Sequence, residues 1–323
     1  MKHWIEAARV RTLPLSVSGI LIGCFYAMSQ STFNWNIVFF AVMTTLLLQI
    51  LSNFANDYGD GVKGTDNIDR VGPARAVQSG VITAPQMKRA VIVTSVLTMI
   101  SATALIYFSF KEKYLLYSLL FVFLGFLAIA SAIRYTVGNS AYGYKGYGDI
   151  FVFIFFGLVS TLGISFMFLK KIDPIILLPA TAIGLFSVGV LNLNNMRDEL
   201  SDRKAGKNTV VVKIGGERAK RYHYFLIITA MILMLVFAIL FDWYKDNDPS
   251  HINFDIYFFV LAYIPLVRHL ITVKRNIIPR ELDPELKKLA LSTFAISVLL
   301  SFQMIYLISD VPVQIFNALT NPH

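Results

Sequence analysis

The sequence predicts an all-α membrane protein that crosses the bilayer nine times, and three observations predict it. Hydrophobic residues make up 56% of the 323-residue chain and charged residues 15%, and the mean hydropathy is +0.61, far from the balance of a soluble domain. Nine apolar runs are long enough to approach or cover the hydrocarbon layer. Lys and Arg crowd onto alternate connections between those runs, as they do when one face of a membrane protein looks into the cytoplasm.

Taken in order, the runs lie at 13–28, 35–53, 90–108, 114–133, 149–169, 174–193, 224–241, 254–272 and 290–309. The first follows a basic, amphipathic N-terminal stretch and has no small-residue cleavage site after it, so it is expected to remain as a span. It holds the single cysteine, Cys24, which excludes an internal disulfide and a cysteine metal site and is expected to be a small packing residue. The second ends in an acidic cluster, and Lys88-Arg89 introduce the third. The fourth is unbroken, whereas glycines at 157–163 in the fifth and Pro179 in the sixth invite kinks or shortening. The eighth contains Pro265, and the ninth leads to the C-terminal residues. No long hydrophilic linker or low-complexity tract divides the chain, so residues 1–323 are expected to form one integral membrane domain.

Lys111, Lys113, Lys170, Lys171 and Lys245 lie on one side, and nearly all the other Lys and Arg residues lie on the opposite one. The N-terminus and long connections are therefore expected in the cytoplasm and the C-terminus outside. The net charge of +9 then reads as topology and anionic-lipid contact, and no nucleic-acid partner is expected. His269, beside Arg268 in the eighth span, is read as an interface residue near Lys274 and Arg275.

Two acidic clusters at span edges carry the functional signal. Asn56-Asp57-Tyr58-Gly59-Asp60 runs on to Asp66 and Asp69, and Asn194-Asn195-Met196-Arg197-Asp198 runs on to Asp202. Ionised carboxylates near hydrocarbon are costly unless neutralised, so such acids default to a functional reading. If the first cluster is helical, Asn53, Asn56, Asp57 and Asp60 fall at i, i+3, i+4 and i+7 on one face, and Asn194, Asp198 and Asp202 repeat the pattern at i, i+4 and i+8. Hard oxygen ligands suit Mg²⁺, which keeps waters while bridging to a substrate phosphate. The topology uses only Lys and Arg, yet it puts both clusters on the cytoplasmic side. Each follows a span and precedes a basic loop four helices from the other, a weak internal repeat. Between them, on the same side, lie Arg134-Tyr135-Thr136-Val137-Gly138-Asn139 and Gly143-Tyr144-Lys145-Gly146-Tyr147-Gly148-Asp149. These glycines lack the strand-helix setting of a dinucleotide fingerprint, so no nucleotide cofactor is expected.

Together these motifs resemble the UbiA superfamily of intramembrane aromatic prenyltransferases, and the resemblance spans nearly the whole chain. Arg11-Thr12-Leu13-Pro14, Asn56 to Asp66 with Asp69-Arg70-Val71-Gly72-Pro73, and Asn194 to Thr209 resemble its 1,4-dihydroxy-2-naphthoate polyprenyltransferase branch, which serves menaquinone synthesis. The superfamily's third acid would stand four residues after Asp60, where this chain has Gly64, with Asp66 two residues later. The resemblance implies a nine-helix bundle around a central cavity, open sideways to lipid for the polyprenyl tail. It implies transfer of a polyprenyl group from polyprenyl diphosphate to 1,4-dihydroxy-2-naphthoate, with loss of the carboxylate, to give demethylmenaquinone in a bacterial inner membrane.

On this reading Asp57, Asp60, Asp198 and Asp202 are catalytic and, with Asp66, hold Mg²⁺. Asn53, Asn56 and Asn194 assist, Lys63, Arg134, Lys145 and Lys207 contact diphosphate, and Arg11 meets either substrate. Tyr135 shields the allylic cation or orients the acceptor ring. Each basic residue also serves the positive-inside bias. Another aromatic acceptor, 4-hydroxybenzoate or homogentisate, is the alternative within the superfamily. A secondary transporter would carry its acids near the bilayer midplane rather than at span ends. The CDP-alcohol phosphatidyltransferases share Asp57 to Gly61 as a motif start, but need Ala-Arg where Gly64-Thr65 stand and keep their other acids nearby.

Overall fold

In the computed structural model, residues 2–30, 33–64, 71–72, 75–138, 141–246 and 254–306 are described. Among them, nine helices are long and apolar enough to cross a membrane: Lys2–Ser29, Trp35–Lys63, Ala84–Phe110, Leu115–Arg134, Gly148–Leu169, Pro174–Arg197, Gly216–Trp243, Asp255–Arg275 and Pro279–Ile305. The chain is an integral membrane protein, as its composition requires. Large apolar side chains such as Leu116, Phe123, Phe126, Phe225 and Phe302 are exposed at the helix surfaces, where hydrocarbon replaces water.

The helices overrun the apolar runs, chiefly at the ends on the side that carries the acidic clusters. An apolar run marks only the hydrocarbon layer, whereas backbone hydrogen bonding continues for as long as a cap is deferred. The second span begins at Asn34, whose side chain accepts from the Asn36 amide at 2.9 Å, and ends at Gly64 in the left-handed region (φ 66°). Its 29 residues extend about 44 Å, against about 30 Å of hydrocarbon. About two and a half turns therefore extend beyond the hydrocarbon, and the C-terminal end of the helix carries the first acidic cluster as helix rather than loop. The third span opens with a capping box, in which Thr83 accepts from the Gln86 amide and the Gln86 side chain accepts from the Thr83 amide. Residues 307–309, expected at the end of the ninth span, lie outside the described residues.

Small residues set the closest approaches, since lipid tails offer no hydrophobic drive between helices. Gly19 and Gly23 lie against Ser160, Thr161 and Ile164 of the fifth span, and Gly157 lies against Gly184 and Ala180 of the sixth, all too close for an added Cβ. Cys24 is buried in an apolar cluster with Ile20, Ala41 and Ile164, as expected of a packing residue. The glycines at 157–163 do not break the fifth span. It runs as a ten-residue π-helical stretch, Phe153–Leu162.

His269 departs from the expectation of an interface residue. It is fully buried, with Nδ1 2.6 Å from Glu285 Oε2 and Nε2 2.8 Å from Nε2 of His223, which is also fully buried. A carboxylate only accepts, so Nδ1 carries the proton, and in the neutral ring Nε2 accepts from His223. The His223 Nδ1 in turn lies 3.5 Å from the Asn192 amide nitrogen, and Lys288 reaches Glu285 at 2.5 Å. The chain of bonds ties the sixth, seventh, eighth and ninth spans. Reading one sequence segment at a time missed it because its members are on four helices. His269→Leu leaves His223 and Glu285 each short of a partner, and the thermal midpoint in detergent is expected to fall by roughly 5 °C. An unchanged midpoint would show that the network carries no stability.

Candidate active site

The second and sixth spans deliver their polar ends to one cavity of about 390 Å³. Asn53, Asn56 and Asp60 line it from the second span, Asn194 from the sixth, and Asp198 and Asp202 from the turn and short helix Glu199–Lys204 that follow. Backbone bonds from the Asp198 amide to Asn194 O (3.1 Å) and from the Asp202 amide to Asp198 O (2.8 Å) carry the i+4 register across the end of the sixth span. That is why the expected stripe survives a break in the helix.

Asp60 is the focus of charge. It is 1% exposed, with Arg75 Nη2 at 2.7 Å and Lys207 Nζ at 3.1 Å from Oδ2, while Tyr144 Oη donates to Oδ1. Lys207 also lies 3.9 Å from Asp202 and 5.1 Å from the centre of the Tyr144 ring. A second focus is Arg197, 2% exposed. It donates twice to Asp198 (3.0 and 2.6 Å), once to Asp283 at the start of the ninth span (2.5 Å), and once to Asn194 Oδ1 (2.8 Å). Arg11 closes the circuit on Asp283 at 3.1 Å. Removing water from so many charges is tolerable because each carboxylate named here has a cation or donors.

Arg11, Tyr135 and Lys207 line the cavity together with the acids. Burial pushes the Tyr135 and Tyr142 phenols above their ordinary values, so both hydroxyls stay protonated. Other expected residues do not line the cavity. Asp57 is buried, but its two oxygens accept from the backbone amides of Ala76 (3.1 Å) and Val77 (3.0 Å). Helix geometry explains the difference, because neighbouring residues point about 100° apart and Asn56 takes the cavity side. Lys63 Nζ donates to Thr136 O at 2.7 Å and sits 4.3 Å from the Tyr144 ring centre, holding the central loop from outside. Arg134 and Lys145 are exposed. The Lys145 carbonyl accepts from Lys213 at 2.7 Å. Asn53 lines the cavity while its amide donates to Ala8 O at 2.8 Å. Asp66 and Asp69 lie outside the described residues.

Sequence reasoning passed over Arg75, Tyr144, Arg197 and Asp283 as contributors. Arg197 is flanked by Asn194 and Asp198 within the second motif, which was the available signal. Asp283 stands at a helix start, where an acid is common and carries no signal of its own. Tyr144 belongs to the glycine-rich segment, whose backbone binds the second motif loop through the Asn208 amide to Tyr144 O at 2.9 Å.

Among the described residues, no group of three His, Cys, Asp or Glu side chains is gathered as a preformed metal site. The donor chemistry nonetheless fits Mg²⁺, which is usually held by one or two carboxylates with substrate phosphates and waters completing the shell. Asp60, Asp198, Asp202, Asn56 and Asn194, all with oxygen donors, line one cavity.

From this charged end the cavity continues between apolar walls of the first six spans to Ile164 and Met167. Charged groups at one end and a hydrocarbon-lined channel beyond form a container for an amphiphile with an anionic head. Comparison with known proteins agrees. Residues 16–245 match the UbiA prenyltransferase family. The chain is 42% identical over 290 residues to a 1,4-dihydroxy-2-naphthoate octaprenyltransferase of Escherichia coli (strain K12), covering 88% of this chain and 89% of that one. It is 39% identical over 307 residues to the Haemophilus influenzae protein of the same name, covering 94% and 96%. Among solved structures, the apo UbiA homologue from Aeropyrum pernix K1 superposes with a TM-score of 0.66 at 13% identity, covering 92% of this chain and 99% of that one. The Archaeoglobus fulgidus homologue bound to GPP and Mg²⁺ gives 0.60 at 16% identity, covering 93% and 99%. The nine-span helical architecture is therefore a UbiA bundle, and the chain belongs to the UbiA prenyltransferase family.

Proposed function

We propose that this protein transfers a polyprenyl group from polyprenyl diphosphate to 1,4-dihydroxy-2-naphthoate, with release of diphosphate and of the acceptor's carboxylate as CO₂. The observation that carries the reading is the single cavity joining Asp60, Asp198, Asp202, Arg75 and Lys207 to an apolar channel. The acceptor follows from the two relatives named for that reaction, which match nearly end to end.

The diphosphate head belongs among the cations at the cytoplasmic end. Arg75 and Lys207, now held on Asp60, would turn toward the diphosphate as charge develops on its bridging oxygen, and Tyr144 would keep Asp60 oriented. Asp60, Asp198 and Asp202, with help from Asn56 and Asn194, would hold Mg²⁺, which would supply positive charge to the leaving group. The allylic cation forms next to the Tyr135 and Tyr142 rings, which lie edge to face at 5.4 Å and line the cavity. Their π faces stabilise it, and the neutral phenols offer no anion to trap it. Arg197 holds Asp198 in place, and Arg11 is placed to meet the acceptor's carboxylate. Residues 1–323 act as one membrane unit with the N-terminus and the site on the cytoplasmic side, as the Lys and Arg distribution expects.

The test is incubation of purified protein with a polyprenyl diphosphate, Mg²⁺ and, separately, 1,4-dihydroxy-2-naphthoate, 4-hydroxybenzoate and homogentisate. The expected result is a prenylated product from 1,4-dihydroxy-2-naphthoate whose mass shows the loss of CO₂, and its disappearance in excess chelator. Prenylation of hydroxybenzoate alone would overturn the acceptor assignment, and full activity in chelator would overturn the metal assignment.

A further inference from the structure

Arg268 faces away from the bundle, which is unusual for an ionised residue inside a span. In the eighth span Leu266, His269, Leu270 and Val273 are buried. At about 100° per residue, the stripe on the opposite side of the helix is Ile264, Arg268, Ile271 and Arg275, and all four are exposed. Charged side chains within membrane helices almost always turn to the bundle interior or pair with one another. Arg268 does neither. Among the described residues, no acid pairs with it or with Lys274, Arg275 or Arg280.

Its depth sharpens the problem. The span opens as the 3-10 helix Phe254–Ala262 and continues as the α-helix Tyr263–Arg275. At about 2.0 and 1.5 Å of rise per residue, Arg268 stands about 27 Å along this axis and Arg275 about 37 Å, against about 30 Å of hydrocarbon. Arg268 is therefore just inside the hydrocarbon rim, and Arg275 is about 10 Å further out, among headgroups.

The connection to the ninth span shows the opposite mismatch. Ile277 is 89% exposed and Ile278 55%, in a loop that carries Lys274, Arg275 and Arg280 around them. The shape of the loop is built rather than slack. Asn276 is buried, its side chain donates to Ile278 O at 2.9 Å and to Glu281 at 3.4 Å, and its carbonyl accepts from Lys220 of the seventh span at 2.9 Å. That fold turns both isoleucines outward beside the cations.

We propose that residues 264–280 form a binding site for one anionic phospholipid of the bilayer. Its phosphate lies between Arg268 and Arg275, its acyl chains run along Ile264 and Ile271, and Ile277 and Ile278 dip into the acyl layer beside it. One occupant thus answers a cation that stands too deep and two isoleucines that stand too high. Four cations against the single acid Glu281 favour a net-negative headgroup over a zwitterionic one, whose ammonium they would repel. Inorganic phosphate shares the anionic chemistry but would leave the four isoleucines uncovered. None of these residues lines the prenyl-transfer cavity, so the site stands apart from the proposed reaction.

The experiment titrates the purified protein in detergent with phosphatidylglycerol or with phosphatidylcholine of the same acyl chains, and counts bound lipid by native mass spectrometry. The wild type is expected to hold one phosphatidylglycerol at least about tenfold more tightly than phosphatidylcholine, and Arg268→Leu to lose about tenfold in that affinity, the scale of one hydrogen-bonded charge removed. Lys88→Leu, which removes an exposed cation at the start of the third span, is expected to keep the wild-type affinity. Wild-type affinity in Arg268→Leu, an equal loss in both variants, or equal binding of the two lipids by the wild type would each overturn the site. Displacement of the lipid by millimolar inorganic phosphate would overturn the role of the acyl chains, and with it the lipid assignment. Photolabelling of the wild type in bilayers, with phosphatidylglycerol carrying a diazirine near its glycerol, needs no variant. Label within 264–280 supports the site, and label confined to other segments overturns it.

Discussion

Asp60→Asn is expected to lower prenyl transfer about 100- to 1000-fold, the scale seen when one preorganised group that supports transition-state charge is removed, while the protein still inserts and purifies. Its carboxylate is the shared partner of Arg75, Lys207 and Tyr144, so neutralising it releases two cations and removes a hard ligand together. Asp198→Asn and Asp202→Asn are expected to follow. Asp57→Asn should behave differently, because its two oxygens accept from the Ala76 and Val77 amides and do not face the cavity. An amide keeps one acceptor and loses the other, so the first effect is on stability, with a cost of about 1–3 kcal/mol for a buried donor left unmet. Product formation and thermal midpoint, measured on the four variants, separate the cases. Equal loss of turnover in Asp57→Asn at an unchanged midpoint would refute the distinction.

Arg197→Leu is expected to cost about 3–5 kcal/mol, the penalty for removing one partner of a buried ion pair and leaving the other charged. Two carboxylates, Asp198 and Asp283, and the Asn194 side chain depend on it. Room for the guanidinium comes from Gly72, where a Cβ would stand 2.5 Å from Arg197 Nη2. Lysine should not rescue the loss, because a single ammonium cannot reproduce the planar fork that serves Asp198 with two nitrogens and Asp283 with a third. The measurement is the midpoint of thermal unfolding in detergent, alongside the yield of inserted protein. Wild-type stability in Arg197→Lys would show that charge alone is sufficient there.

Much of the fold was legible in the sequence because the bilayer imposes its constraint one segment at a time. A helix crossing hydrocarbon must satisfy its own backbone and present apolar side chains, so each span announced itself without knowledge of its neighbours. The helix ends were less legible, since the second and seventh spans continue as polar helix that an apolar-run reading does not count.

The candidate site divides along the same line. Asn56, Asp60, Asn194, Asp198 and Asp202 were legible because each acidic cluster keeps helical spacing over one or two turns, a property of a single segment. Arg75, Tyr144 and Asp283 were not, because their importance lies in reaching a carboxylate on a distant element: Arg75 and Tyr144 on Asp60, and Asp283 between Arg11 and Arg197. Nor could sequence separate Asp57 from Asp60, since both are acids of one motif and only the loop at Ala76 and Val77 decides which turns away from the cavity. The sequence by itself determined a nine-span helical membrane protein with two aligned acidic motifs, because periodicity and hydropathy are local. Only the tertiary structure decided which cation neutralises which acid and that His223, His269 and Glu285 meet in the core, because these depend on helices packed side by side.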